Sequence, residues 1–258
     1  MPTLSNTRIG NFQRCAQRYI WAYLDKVEIP KSPGLRRGEA QHAAVEPFYR
    51  DQLAGMDSTP RIDRALSAAW EIFQPVGEDM LKDWELMQRI LLRYFREVAP
   101  NDQWRVREVE VTWNTPPDSA LDLTGRIDLI VEAGGKRFIV DHKFNKQVST
   151  QHLAVDPQVS TYLLLARILG VEVSGVIYNI IRMTEGGVAV KEPVVRQTIT
   201  RSQNWLDRWE QQLRLIQQQI VDFHVSPVAT LEFGANCHWD CSFYEHCLAK
   251  MNSPVEGK

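Results

Sequence analysis

The chain has 258 residues, of which 44% are hydrophobic and 24% are charged, the balance of an ordinary globular protein. Thirty lysines and arginines against 32 aspartates and glutamates give a formal net charge of −2. This charge excludes a polybasic protein that coats nucleic acid, although a local basic groove stays compatible with it. Without an 18-residue apolar run or a secretory signal, we expect a cytoplasmic protein with no membrane partner.

The first hundred residues are predicted to be mostly helical. Apolar residues recur at helical spacing over 3–24, and three further amphipathic segments follow at 37–53, 61–74 and 79–98. Pro47 falls inside the second helix and predicts a kink there.

After residue 100 the sequence predicts strands and helices in alternation. Strands are predicted at 104–113, 121–132, 136–143, 173–182 and 188–196, and helices at 156–169 and 201–223. Helical layers beside a small mixed sheet indicate an α/β fold. We expect one domain over 1–258, with a mostly helical part (1–100), a sheet core (101–200), and a long helix with a cysteine-rich tail (201–258).

Two facing carboxylates are predicted on the hairpin around Gly134-Gly135. If these glycines form a two-residue turn, Glu132 lies opposite Arg137, and every pair on both strands is chemically compatible. The same register places Asp128 directly opposite Asp141, where two like charges destabilise the pairing unless a cation compensates. The sequence therefore predicts a divalent cation between them.

Lys143 follows Asp141 by two residues and so projects from the same strand face. Two carboxylates and an ammonium around a divalent metal suit phosphodiester hydrolysis, because the metal acidifies water and offsets charge on the phosphate. The alternative interpretation is a surface hairpin that carries a Lys–Asp salt bridge.

The segments GRIDLI with Asp128 and IVDHK with Asp141 and Lys143 resemble the signature of the PD-(D/E)xK nucleases. His42 in GEAQHAAVE resembles the metal-ligand histidine of the RecB-like branch, and Gln158 and Tyr162 resemble its Gln-x-x-x-Tyr motif. Two departures are the absence of a proline before Asp128 and an aspartate at 141, where many relatives carry glutamate.

This resemblance implies a restriction-endonuclease-like core, a small mixed sheet flanked by helices. It also implies Mn²⁺ or Mg²⁺ held by His42, Asp128, Asp141 and the backbone carbonyl of His142, with the imidazole favouring Mn²⁺. In that reading Lys143 assists the attack on phosphate, and Gln158 and Tyr162 hold the strand near the site.

The four cysteines, Cys15, Cys237, Cys241 and Cys247, more often mark metal or redox chemistry than disulfides in a reducing cytosol. Their arrangement resembles the iron–sulfur clasp of a RecB-like subgroup that includes AddB-type subunits and CRISPR-adaptation exonucleases, which implies a [4Fe–4S] cluster. Two features depart from the subgroup, namely Ala16 in place of proline and three residues between Cys237 and Cys241. A Zn²⁺ site at the same thiolates, with His238 or His246 as substitutes, is the alternative.

The expected activity is that of a metal-dependent DNA exonuclease on single-stranded ends, with 5′→3′ polarity favoured. Its role would lie in recombination, repair or CRISPR spacer processing, with a homo-oligomer or a CRISPR-adaptation partner compatible. Two alternative interpretations are a catalytically silent DNA-binding module and an iron–sulfur electron carrier. On the first strand, Glu108 and Glu110 are expected to face solvent rather than the metal. Candidate phosphate contacts are Arg14, Arg18, Arg36, Arg37, Arg126 and Lys146.

Overall fold

A mixed β-sheet forms the centre of the protein in a computed structural model, which describes residues 2–75, 77–146, 148–183, 192–232, 234 and 237–253. Within these residues the sheet has five strands in the order β1-β2-β3-β4-β5. They are β1 (Arg105–Asn114), β2 (Thr124–Ala133), β3 (Lys136–Asn145), β4 (Val176–Arg182) and β5 (Val194–Ile199). Only the β3–β4 pair is parallel among them, and it is joined by a helical crossover, as a parallel pair requires.

Helices cover both faces of the sheet. Three of them, α3 (Pro33–Leu53), α4 (Ser58–Phe73) and α5 (Glu78–Arg93), share one apolar core with one sheet face, and α5 runs on as a π-helical turn, Tyr94–Val98. The other face packs on α1 (Asn6–Arg14), the crossover helix α6 (Pro157–Ile168) and the long α7 (Gln203–Val225). Short helices complete the described chain: α2 (Ala16–Tyr19) with its π-helical extension Ile20–Leu24, α8 (Cys237–Asp240), α9 (Tyr244–Asn252), and 3₁₀ turns at Ala99–Asn101 and Gln151–Val155.

This arrangement confirms the predicted mixed sheet flanked by helices. Among the described residues, no helix combines the length and apolar character needed to cross a membrane. Pro47 lies inside α3, which continues to Leu53. The predicted strand at 188–196 lies partly outside the described residues, because 184–191 are not described, and β5 begins at Val194.

The prediction of one continuous first helix over 3–24 is wrong. Cys15 has an extended backbone, with φ −166° and ψ 122°, and it separates α1 from α2. Apolar spacing continues through the break because both helices pack on the same core, so periodicity alone does not reveal it.

The hairpin register is confirmed from Ala133–Lys136 to Leu129–Val140. Gly134 and Gly135 have φ values of 56° and 72°, the left-handed conformations that a tight hairpin turn of this kind requires. The ladder ends one position before the predicted Asp128–Asp141 pair. There the Asp128 carboxylate accepts a hydrogen bond from the backbone N–H of His142 at 2.7 Å.

Candidate active site

The predicted carboxylates line a cavity of about 500 Å³ between α3, the first three strands and α6. His42 reaches it from α3, Asp128 from β2, Asp141 and Lys143 from β3, and Gln158 and Tyr162 from α6. The structure thus brings together the residues that the sequence placed in three separate motifs.

Asp128 is buried and held from two sides. His42 Nδ1 lies 3.5 Å from its Oδ1, and the His142 N–H bonds its Oδ2. Burial acts to raise the pKa of Asp128, but the hydrogen bond and charge of His42 and the His142 N–H outweigh burial and lower the pKa below its usual value. Burial acts to lower the pKa of His42, yet Asp128 and Asp141 raise it. Asp128 is therefore an ionised carboxylate next to an imidazole, a pair of donors suited to a divalent transition metal.

Asp141 and Lys143 form an ion pair on β3, with Nζ 2.7 Å from Oδ2. Burial raises the pKa of Asp141 to about 6, and Asp128 adds to this effect while Lys143 opposes it. Burial acts to lower the pKa of Lys143, but the charges of Asp141 and Asp128 outweigh it and raise the pKa. The lysine is consequently a fixed positive charge at neutral pH.

Gln158 and Tyr162 link this ion pair to β2. Lys143 Nζ donates to Gln158 Oε1 at 2.9 Å, and Gln158 Nε2 donates to the Tyr162 hydroxyl at 2.7 Å. Tyr162 in turn donates to the carbonyl of Arg126 at 2.6 Å. Gly125 makes the close approach of α6 possible, since a Cβ there would lie 3.2 Å from the Tyr162 ring and 2.8 Å from Leu165.

Glu110 also lines the cavity, which contradicts the expectation that it faces solvent. One ligand atom each from His42, Glu110 and Asp128 lies within 4.8 Å of the other two. The Glu110 side chain is only 6% exposed, and its backbone has a φ of 50°. Burial raises its pKa, with a further contribution from Asp128. Glu108 is exposed as predicted.

The pairing of β1 with β2 accounts for the position of Glu110. Val109 lies opposite Leu129 and Val111 lies opposite Ile127, which brings Glu110 opposite Asp128. Opposite residues on paired strands present neighbouring side chains. Tyr178 also contacts the site residues, since its hydroxyl donates to Gln158 Oε1 at 3.4 Å. The sequence did not predict this contact. No local pattern marks either residue, because both depend on contacts between strands and a helix.

The imidazole of His142 points away from the cavity, as the strand alternation predicts. Its Nε2 lies 3.3 Å from the Tyr94 hydroxyl, which also contacts the Tyr49 hydroxyl at 2.6 Å and accepts from Asn179 Nδ2 at 3.0 Å. Burial lowers the pKa of His142 to about 4, so the ring is neutral at physiological pH. The strand that carries the carboxylates is thereby anchored by polar contacts on its far face.

The six candidate phosphate contacts do not form one surface. Arg126 borders the cavity that His42, Asp128 and Asp141 line; its side chain is 66% exposed and pairs with Glu110. Arg14 and Arg18 instead bond Asp240 beside the cysteines. Arg37 pairs with Asp83 at 2.6 Å and shares a separate cavity with Lys146. Arg36, near the start of α3, is partly buried.

The four cysteines all line a second cavity, about 180 Å³ in volume, between α1, α2 and the C-terminal helices. All four are free thiols, and burial together with the other three sulfur atoms raises the pKa of Cys247. Apolar side chains, among them Trp21, Leu231 and Leu248, share the lining.

Four cysteine thiolates are the ligand set of a structural zinc ion and also of a [4Fe–4S] cluster. His246, one of the two histidines considered as substitute zinc ligands, packs edge-on against Trp21 with ring centroids 4.7 Å apart.

Comparisons with known proteins agree with this geometry. The family model of the PD-(D/E)XK nuclease superfamily matches residues 3–248, and the chain belongs to that superfamily. Among solved structures, the crystal structure of a "Putative exonuclease" from Eubacterium rectale superposes with a TM-score of 0.56 at 14% identity, covering 98% of this chain and 88% of the other. The crystal structure of SSO0001 has a TM-score of 0.34 at 13% identity, covering 83% and 84%. No curated protein matches the sequence significantly.

The superfamily and the site together define the class of protein. It is a nuclease, whose substrate class is nucleic acid and whose relatives use divalent metals.

Proposed function

We propose that the protein is a metal-dependent DNA exonuclease that shortens single-stranded DNA from its ends. The observation that carries the proposal is the convergence of His42, Glu110, Asp128 and Asp141 on one cavity, with Lys143 bonded to the last of them. The fold of the "Putative exonuclease" from Eubacterium rectale supports action at ends, and 5′→3′ polarity is part of the proposal.

The donor set fits a divalent cation. Three carboxylates on neighbouring strands gather in a partly enclosed cavity, and Asp141 has a raised pKa because burial and Asp128 oppose its ionisation. We assign His42, Asp128, Asp141 and the His142 carbonyl as ligands of Mn²⁺ or Mg²⁺. Glu110 is a further donor, because its carboxylate lies within 4.8 Å of ligand atoms of His42 and Asp128. A bound divalent ion supplies an acidified water and offsets negative charge on the phosphate.

The remaining residues position the substrate and stabilise charge. Lys143 keeps its proton, so it acts through its positive charge on the phosphate rather than as a base. Gln158 and Tyr162 fix the ammonium in place through their hydrogen-bonded chain to Arg126. Arg126, at the exposed rim, is suited to contact the next phosphate along the strand.

A silent DNA-binding module is the weaker reading. Crowded carboxylates raise the free energy of the folded state when no cation is bound, and replacing any one of them would relieve the repulsion. The complete set therefore favours catalysis.

The biological setting we propose is recombination, repair or CRISPR spacer processing, with a homo-oligomer or an adaptation partner.

We also propose a [4Fe–4S] cluster at Cys15, Cys237, Cys241 and Cys247. The convergence of all four thiols on one cavity, whose lining includes Trp21 and Leu248, supports this proposal. The cluster would join the helical start of the chain to its end, since Cys15 and Cys237 come from opposite ends of the sequence.

The test is the degradation of end-labelled single-stranded DNA in Mn²⁺ by the wild type and by Lys143→Ala. We expect the wild type to shorten the strand, and the position of the retained label to report polarity. Lys143→Ala should lose at least about 100-fold in rate, because an electrostatic contact to the reacting group is removed. Lys82→Ala is the matched control, since Lys82 is an exposed lysine on α5 that pairs only with Glu78 among described residues.

Two outcomes contradict the proposal. If neither protein cuts DNA while both bind it, the silent-module reading replaces it. If Lys143→Ala cuts as fast as Lys82→Ala, the site assignment is wrong even though the protein is a nuclease. A circular single strand has no ends. If the protein cuts it, the protein is an endonuclease, and the assignment of the site is unaffected.

A further inference from the structure

A further groove lies between the first turn of α6 and the N-terminal part of α7. It has a volume of about 380 Å³ and is lined by Val155, Pro157, Ser160, Trp205, Arg208, Trp209 and Gln212. The first turn of α6 borders both spaces, because Gln158 lines the catalytic cavity and Pro157 lines this groove. Because consecutive Cα atoms are about 3.8 Å apart, the two spaces approach each other at this turn.

The two indoles of the groove are held by their edges. Trp205 Nε1 donates to Ser160 Oγ at 3.0 Å, and Trp209 Nε1 donates to Thr161 Oγ1 at 3.2 Å. Trp205 nevertheless remains 39% exposed, although its polar atom is already bonded. The indoles thus have fixed orientations while part of their apolar surface is open.

Arg201 stacks behind Trp205. Its guanidinium carbon lies 4.8 Å from the centre of the Trp205 ring. Arg201 is itself fixed by hydrogen bonds to Ser160 Oγ and to the carbonyls of Leu153 and Asp156. The guanidinium of Arg201, held by these hydrogen bonds, therefore covers one face of the indole. The exposed part of the ring lines the groove.

The groove carries positive charge and no carboxylate in its lining. Arg208 is exposed at its edge and makes no hydrogen bond or ion pair to any residue that the structure describes. The exposed indole surface is complementary to an unpaired base, because every base has a π-face that can stack on an aromatic ring. The side chain of Arg208 is complementary to the phosphate of the same strand. An acidic or purely apolar partner would match only one of these two features.

The geometry points to a nucleotide-binding subsite at Trp205, Trp209 and Arg208 that holds an unpaired base of single-stranded nucleic acid a few nucleotides from the scissile bond. The inference rests on the proposed nuclease function and names the part of the substrate that this face recognises. Trp205 provides the stacking surface, and Arg208 contacts the adjacent phosphate.

The experiment measures binding separately from cleavage. Fluorescence anisotropy of a labelled short oligothymidylate is recorded in the Asp141→Asn background, without and with Trp205→Ala, Trp205→Phe or Arg208→Gln. Trp205→Ala should weaken binding about five-fold or more, Trp205→Phe should restore most of the loss, and Arg208→Gln should reduce the salt dependence. Trp70→Ala is the matched control, because Trp70 is 44% exposed on α4 in the opposite helical layer.

A probe without bases separates stacking from charge. On a strand of abasic residues, and on a blunt duplex, Trp205→Ala should bind as tightly as its parent because no unpaired base is available to stack. Equal affinity of Trp205→Ala and its parent for oligothymidylate overturns the inference, even if the wild type cuts DNA. An equal loss on the abasic strand overturns it as well. Failure of the nuclease proposal shows instead as absence of cleavage by the wild type.

Discussion

Tyr94→Phe tests the polar anchor behind the catalytic strand. The Tyr94 hydroxyl is fully buried between Tyr49, His142 and Asn179, at 2.6, 3.3 and 3.0 Å. Asn179 Oδ1 accepts from Arg196, which makes Asn179 Nδ2 a donor that only the Tyr94 oxygen satisfies among the described residues. Removing this oxygen therefore leaves at least one buried donor without a partner.

The cost follows from the number of groups left unsatisfied. A buried polar group without its partner costs about 1–3 kcal/mol, and one or two such groups result here, so we expect the free energy of unfolding to fall by about 2–4 kcal/mol. The assay is denaturant unfolding followed by circular dichroism. We expect the midpoint to fall while the slope of the free energy of unfolding against denaturant concentration stays unchanged. Tyr23→Phe is the control, because the Tyr23 hydroxyl has one long contact, 3.4 Å from Asn11 Nδ2, and its loss should cost under about 1 kcal/mol.

The same variant should also weaken metal binding. His142 bonds Tyr94 through its ring and Asp128 through its backbone N–H, so loosening the ring loosens the carboxylate. Titration calorimetry with Mn²⁺ should show an affinity lower by about ten-fold, the low end of second-shell effects. Tyr94 does not anchor the strand if Tyr94→Phe loses no more stability than Tyr23→Phe and binds Mn²⁺ as the wild type does.

Three further changes test other parts of the structure. Burial raises the pKa of Asp141 to about 6, so its ionised form destabilises the metal-free fold above that pH. Asp141→Asn should therefore raise the free energy of unfolding by up to about 3 kcal/mol near pH 8, a gain that disappears below about pH 4 in denaturant titrations and that Mn²⁺ reverses. Gly125→Ala should cost about 1–3 kcal/mol in the same assay, because its Cβ would meet Leu165 Cδ1 at 2.8 Å, and normal stability would contradict this close approach. Cys241→Ser should lower iron and acid-labile sulfide in anaerobically purified protein, whereas a wild type that carries zinc and no iron would refute the cluster.

The hairpin and its chemistry could be predicted from the sequence because they depend on local rules. Two glycines select a tight turn, the turn sets the register, and the register brings Asp128 to the His142 N–H beside Asp141. Residues two apart on a strand share a face, so Lys143 had to join Asp141. The i, i+4 spacing of Gln158 and Tyr162 likewise placed them on one face of a helix.

Other features depend on contacts between distant segments, which no local pattern encodes. The pairing of β1 with β2 brings Glu110 opposite Asp128 in the cavity, and the extended backbone of Cys15 breaks a helix that looks continuous in its apolar spacing. Basic residues could be counted in the sequence, but their partners could not. Only the packed chain shows that Arg14 pairs with Asp240 and that Arg37 pairs with Asp83. Arg208 has no such partner among the residues that the structure describes. Short-range periodicity determines which residues share a face, and tertiary packing determines what each face meets.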